Sequence, residues 1–325
     1  MQKPVPGASL NIGPLRFLCI GGAVIDRKLR AAEPIRPGTS NPVASSLGFG
    51  GVARNVAENL VRLGGMVSLV SCVGDDVSGR AIVAHLSSLG VDTGAVRMIE
   101  GASTAEYTAF LQPDGTLFAG GADMAILDQI YGEMADRALG GLASNIWVFA
   151  DCNASSEALR DLIRQCAHAA LPLAIDAISV AKARRLPADL GGVTCLFLNR
   201  DEAAAVLGLE AGDPAQMALA LAGRGSGAVV LSLGEGGALV CEAGHISHVP
   251  AEPAKVIDVT GAGDAMIAGT LFGLANGVGL PDAVRLGTHI AARTVASALS
   301  VDEQLSPEIA RRFMVALAGL KGAHA

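Results

Sequence analysis

Short apolar runs alternate with helix-length amphipathic patterns through most of this chain, and that rhythm limits the fold more than any other feature. The runs at 15–23, 67–73, 145–150, 172–176, 194–198 and 228–233 read as strands. Between them, 52–63, 78–89, 156–169, 200–207 and 214–222 carry helical spacing. This β-α-β alternation predicts an α/β fold: a doubly wound, mostly parallel sheet flanked by helices. From 265 onward the pattern is helical, over 265–275, 281–298 and 307–320. Hydrophobic residues make up 51% of the chain and aromatics 3%, so the core must be built from Ala, Val, Leu and Ile. Such a core suits a sheet buried on both faces. The 325 residues read as a single domain, 1–325.

Two stretches interrupt the rhythm. Residues 29–47 hold Pro34, Pro37, Gly38 and Pro42. Residues 96–121 hold an alternating run at 106–111, the turn Pro113-Asp114-Gly115, and a second run at 116–119, which together signal a hairpin. Strands inserted into an α/β chain should lie outside the main sheet. The two stretches therefore predict a small β-sheet lid, with a pair of surface loops as the alternative.

Charge and hydropathy narrow the function classes. Net charge is −7 and no block of Lys and Arg occurs, which argues against a nucleic-acid-binding surface. Mean hydropathy is +0.45, yet the longest uncharged run, 265–281, holds Asn276 and four glycines and is short for a membrane span. The apolar run 17–25 meets Asp26-Arg27-Lys28 without a small-residue cleavage pattern, so it reads as a strand and not a signal peptide. The cysteines are Cys19, Cys72, Cys152, Cys166, Cys195 and Cys241; none form Cys-x-x-Cys. They read as reduced core thiols of a cytoplasmic protein.

The segment 256–270 carries the strongest chemistry. Met266, Ile267, Leu271 and Leu274 have helical spacing, and Gly277 can end that helix. Thr260 to Asp264 then stand at its N-terminus. There Gly261, Ala262 and Gly263 can offer backbone N–H groups to an anion, aided by the helix dipole. Such a nest suits the charge that develops on a transferring phosphoryl group. Asp264 reads two ways, as a helix cap or as a general base for an attacking hydroxyl. Asn199 and Glu202, three apart at a helix start, could order Mg²⁺ and its waters or form a capping box. Ser232, Gly234 and Gly236 lie in a glycine-rich turn that could pass nucleotide phosphates or be a plain hairpin.

A second group of residues suits a polyol. Asp26 follows the first strand, where ligands of open α/β sheets bind, and a carboxylate can accept from two neighbouring hydroxyls. Gly50 and Gly51 open a helix whose Asn55 lies beside the apolar stripe Val52, Val56, Leu60 and Leu63. Its amide could meet a sugar hydroxyl, or the glycines could serve packing and Asn55 the surface. His245-x-x-His248 lacks a third ligand and reads as two surface histidines, and Trp147 reads as core.

In this order these segments resemble the ribokinase-like (PfkB) family across nearly the whole chain. The glycine pair with its downstream Asn, the Asn-x-x-Glu pair and Asp258-Val-Thr-Gly-Ala-Gly-Asp264 all match. The resemblance implies an ATP-dependent phosphotransferase with an alcohol acceptor. Asp264 would be its base, and Gly261, Ala262 and Gly263 its anion hole. Asn199 and Glu202 would be the Mg²⁺-phosphate pair, with Ser232, Gly234, Gly236 and Thr260 near ATP. Asp26, Gly50, Gly51 and Asn55 would bind the sugar, and Asp258 would ligate a monovalent cation such as K⁺. Family members commonly form homodimers through the lid.

The likeness is closer to the pseudouridine kinases within that family. It rests on Ser40-Asn41-Pro42, on Gly50-Gly51-Val52-Ala53-Arg54-Asn55-Val56-Ala57-Glu58-Asn59-Leu60, on Asp123-Met124-Ala125-Ile126 and on Ala150-Asp151-Cys152-Asn153. It implies transfer to a nucleoside 5′-hydroxyl, with Asn41 and Asp123 at the base edge. The chain departs from that subgroup at Asp176-Ala177-Ile178-Ser179, where the subgroup has Asp-Pro-Val-Ser, and at Phe197-Leu198-Asn199, where Lys-Pro-Asn is common. A free sugar such as ribose or fructose, or another nucleoside, as acceptor is the alternative kinase reading. A non-catalytic sugar- or nucleotide-binding sensor is the alternative of another class, and the intact Asp264 and Glu202 argue against it. A dinucleotide-binding dehydrogenase fits poorly, since 21–26 lacks Gly-x-Gly-x-x-Gly.

Overall fold

The computed structural model describes residues 15–140 and 146–322; the strand start expected at 145 lies outside them. Strand β1 (Arg16–Ile20) opens a large sheet. The chain leaves it at Gly21, and β2 (Val24–Ala31) and β3 (Val43–Gly50) pair antiparallel in a second, smaller sheet. Helix α1 (Val52–Arg62) returns to the large sheet, which continues through β4 (Met66–Gly74), α2 (Val77–Ser88) and β5 (Val96–Ile99). The small sheet is completed by the hairpin β6 (Glu106–Leu111) and β7 (Leu117–Asp123). Next come α3 (Glu133–Leu139), β8 (Ile146–Asp151), α4 (Ser156–His168), β9 (Leu173–Asp176) and α5 (Val180–Ala183). They are followed by β10 (Cys195–Asn199), α6 (Arg200–Leu207), α7 (Pro214–Ala222) and β11 (Ala228–Ser232). An antiparallel pair, β12 (Ala238–Glu242) and β13 (His245–Val249), precedes α8 (Ala262–Ala275), α9 (Leu280–Val295) and α10 (Pro307–Gly322).

The large sheet runs β13-β12-β11-β10-β9-β8-β1-β4-β5 and is parallel from β11 to β5. The small sheet runs β3-β2-β6-β7. Side chains alternate across the large sheet, as the two-residue period of a strand requires. Leu18 and Ile20 enter the core layer on one face, while Phe17 and Cys19 enter the layer on the other. Most of α8 is buried, which explains its apolar sequence without a membrane. Among the described residues no helix is long and apolar enough to cross one. None of the six cysteines forms a disulfide, and all are buried. Burial pushes their thiols up, Cys166 to about 12.

Two sequence expectations change. The strand expected over 15–23 ends at Ile20, where Gly21 takes φ +152° and a Cβ would lie 2.2 Å from the Asp151 carboxyl carbon. The break frees Val24 and Ile25 to begin β2, so Asp26 lies within a small-sheet strand and not just past a large-sheet one. The stretch 96–121 also divides. Val96–Ile99 pairs in parallel with β4 at the edge of the large sheet, and only the hairpin that follows joins the small one.

Candidate active site

The parallel register gathers chemistry at one edge. Ile20 pairs with Ala150, Asp151 with Asp176, and Asn199 with Ser232. The turn at Gly21, the two aspartates, Asn199 and Ser232 therefore share the carboxyl ends of the strands, where open α/β sheets bind ligands.

Helix α8 points its N-terminus at this edge. Its N-cap is Gly261, at φ +81°, and a Cβ there would meet the Ser300 carbonyl oxygen at 2.0 Å. Only glycine fits that approach. Open space lies in front of Gly263. Asp264 sits in the first turn without capping the helix, so the cap alternative is not the role it plays here. Its carboxylate instead accepts from Asn55 Nδ2 at 2.6 Å, across from α1. Burial pushes Asp264 up to about 6; the Asn55 hydrogen bond and the Arg54 charge oppose the rise, while Asp151 and Asp26 add to it. A carboxyl tuned this way is a fair general base near neutral pH.

Asn55 is itself held. Arg54 Nε and Nη2 donate to Asn55 Oδ1 at 3.0 and 2.6 Å, which turns the amide NH₂ toward Asp264. Arg54 Nη1 pairs with Glu58 at 2.7 Å, and both residues are 2% exposed. Glu58 also accepts from Arg62 at 2.9 Å and meets His85 Nε2 at 3.0 Å. The sequence reading missed Arg54 and Glu58. Arg54 falls in the segment that carries the subgroup likeness, but its pairing with Glu58 is signalled only by opposite charge at i and i+4 on a helix start, which more often marks a solvated face.

Asp26 stands half-buried on β2, and a Cβ on Gly50 would approach its carboxylate to 2.3 Å. Burial raises Asp26, and the charges of Lys28 and Arg54 pull it back. Gly51, at φ +93°, abuts the Gly22 carbonyl, to which Arg54 N–H donates at 3.1 Å. Buried Asp151 ties these turns together: Oδ2 accepts from Gly22 N–H at 2.8 Å and Ala53 N–H at 3.3 Å, and Oδ1 from Asn153. The structure thus brings together Asp26, Gly50, Gly51, Asn55 and Asp264.

On the other side of the cleft, Asn199 and Glu202 form both bonds of a capping box, at 2.9 and 2.8 Å. Burial raises the Glu202 carboxyl. Asp176 is pushed well above the carboxylate range by burial and by the charges of Glu202 and Asp264. Oxygen donors with this excess of negative charge fit Mg²⁺. No group of three His, Cys, Asp or Glu among the described residues could chelate a metal directly. Ser232 ends β11, and Gly234 to Gly236 form a tight turn into β12, so the glycine-rich segment is a hairpin.

Three expected residues are placed otherwise. Asn41 spends its amide on its own loop, accepting from Arg36 N–H at 2.8 Å and donating to the Arg36 and Thr39 carbonyls. Asp123 pairs with Glu106 and lines a separate groove with Asp76, Thr104 and Thr108. Asp258 accepts from Thr260 N–H and Oγ1 at 2.9 and 2.7 Å, and its other oxygen pairs with the Lys28 ammonium. Both oxygens of Asp258 therefore have protein partners.

Residues 15–304 match the model of the pfkB family carbohydrate kinases. The chain belongs to that family. This pfkB kinase is 31% identical to the pseudouridine kinase of Escherichia coli K12 over 277 residues, 82% of this chain and 86% of the relative. It is 28% identical to the guanosine-inosine kinase of Exiguobacterium acetylicum over 304 residues, 90% of this chain and 98% of that one. Among solved structures, Arabidopsis thaliana ribokinase complexed with ribose and ATP superposes with a TM-score of 0.80 at 18% identity, covering 93% of this chain and 99% of that one. That likeness establishes the ribokinase-like fold. Family membership makes the pfkB kinase an ATP-using phosphotransferase of the sugar and nucleoside class, with an alcohol group as acceptor.

Proposed function

We propose that this kinase transfers the γ-phosphoryl group of ATP to the 5′-hydroxyl of a nucleoside, pseudouridine before others. The carrying observation is Asp264, held by Asn55 at the mouth of the α8 anion loop with Asp26 on the same cleft. The two nucleoside-kinase relatives support the acceptor class.

Asp26 binds the ribose hydroxyls and Asn55 sits beside them, so the remaining hydroxyl faces Asp264. Asp264 takes its proton as the oxygen attacks phosphorus. The backbone of Gly261 to Gly263 and the α8 dipole stabilise the charge that grows on the transferred group. Asn199 and Glu202 would hold Mg²⁺ through water, and the ion, when bound, neutralises phosphate charge. The small sheet acts as the lid, excluding water from the cleft. Its edge strands β3 and β7 expose Val43, Leu47, Leu117 and Phe118, which supports a homodimer through the lid. Buried cysteines without a disulfide support a cytoplasmic enzyme.

Turnover of ATP against pseudouridine, uridine, guanosine, ribose and fructose tests the acceptor. Preference for pseudouridine is expected. A free sugar as best acceptor would discard the nucleoside reading and leave the kinase. Asp264→Asn should lower kcat by about three orders of magnitude or more with ATP binding nearly unchanged. Near-normal turnover in that variant would remove Asp264 from the base role.

A further inference from the structure

We propose that the Lys28 ammonium serves at Asp258 in place of a monovalent cation, and that through it the small sheet sets the anion loop directly. The family resemblance leads one to expect K⁺ at Asp258. The geometry points elsewhere.

Asp258 organises the approach to α8. Its Oδ1 gathers both the N–H and the hydroxyl of Thr260, which closes the turn just before Gly261. The backbone behind it is anchored as well. Ile257 and Asp258 N–H groups donate to the Val295 carbonyl at the end of α9, at 2.7 and 3.3 Å. Gly261 rests against Ser300. The loop therefore has a fixed floor, and one carboxylate oxygen is left facing the cleft.

That oxygen meets Lys28 Nζ, which comes from β2, 230 residues away in sequence. Both side chains are partly buried, so the pair is less screened than a surface ion pair. Lys28 lies two residues from Asp26, on the same face of the strand. The strand that brings the acceptor carboxylate therefore also brings a fixed positive charge to the anion loop.

Asp258 already has a cation at contact: Lys28 pairs with it directly, whereas Arg54 is shared among Asp26, Glu58 and Asp264. Although burial acts to raise the Asp258 carboxyl, Lys28 and Thr260 hold it below the usual carboxylate range, as expected of a satisfied anion. A potassium ion entering here would face Lys28 at close range and find the Asp258 oxygens already taken. A tethered ammonium adds what a free ion cannot: the charge arrives only when β2 is seated over the loop. Lys28 is thus a positioning residue, acting through Asp258 and Thr260 on the N-terminus of α8.

The inference rests on reading Gly261 to Gly263 as the anion loop and is independent of which acceptor is phosphorylated. The test compares wild type, Lys28→Met and Lys28→Arg in potassium chloride and in tetramethylammonium chloride at equal ionic strength. The first readout is turnover with the best acceptor of the panel. The second is the thermal unfolding midpoint in the two salts, which needs no turnover and so stays readable if the acceptor assignment fails. Wild type and Lys28→Arg are expected to be indifferent to K⁺ in both readouts. Lys28→Met should lose about tenfold or more in kcat in tetramethylammonium. Potassium should restore most of that loss and raise the unfolding midpoint of this variant alone. Clear K⁺ stimulation of the wild type overturns the proposal, as does a Lys28→Met defect that K⁺ leaves untouched. Should Lys28→Met fail to fold, the wild-type and Lys28→Arg arms still decide it.

Discussion

Asp264 works through its neighbours. With a pKa near 6 it is ionised, and able to accept a proton, only above that value. The expected profile of kcat/KM therefore rises with pH through an inflection near 6. Arg54 holds this value down, by its own charge and by aiming the Asn55 amide. Removing Arg54 alone would leave the buried Glu58 with only Arg62 and His85 as partners, which costs stability as well as changing Asp264. The informative variant is Arg54→Met with Glu58→Gln. Its acidic limb should move to higher pH, because a lost cation and an Asn55 donor no longer held in place both favour the protonated carboxyl. An unmoved limb with merely reduced amplitude would show that the arginine only supports folding. The contrast with the sequence is instructive at this scale. The placement of Gly261 and Asp264 at a helix start is legible from the apolar spacing that follows them, while the choice between cap and base for Asp264 needs the company of the other segments. Arg54 and Glu58 are not legible, because their role depends on what α2 and α8 place against them.

Among the elements, the two strands that matter most are the ones that sequence resolves least. The hairpin of β6 and β7 is legible from its turn residues Pro113, Asp114 and Gly115. Strand β2 is not, since its apolar residues run straight on from β1. What separates them is a backbone conformation at Gly21 that answers to Asp151, a residue from a distant strand. Likewise the pairing of β5 with β4 is a matter of edge availability, and no local pattern encodes it. The second glycine contact carries its own forecast. In Gly50→Ala the new methyl would push against the Asp26 carboxylate, where only 2.3 Å is available. Steady-state kinetics should show the acceptor KM raised by about tenfold or more, with the KM for ATP little changed. An equal rise in both would place Asp26 outside the acceptor site.

Across the whole molecule, the active site costs stability when nothing is bound. Burial raises the carboxyls of Asp264, Asp176, Glu202 and Asp26 above their unfolded values. Each therefore favours the folded state when protonated, and that advantage is lost as pH climbs from the unfolded values near 4 through the folded ones. Thermal unfolding of the free protein should show a midpoint that falls between pH 5 and 7, and Asp264→Asn should flatten the slope. A midpoint that rises over that interval would mean that these carboxyls are better solvated than the packing indicates. The six interior thiols, meanwhile, leave the surface without a native cysteine among the described residues. With burial also holding them protonated, none competes for a maleimide under native conditions. A cysteine introduced at Thr116, on the hairpin tip, would be the one site that takes a fluorophore, so the distance between the two sheets could be followed by spectroscopy in an otherwise wild-type background.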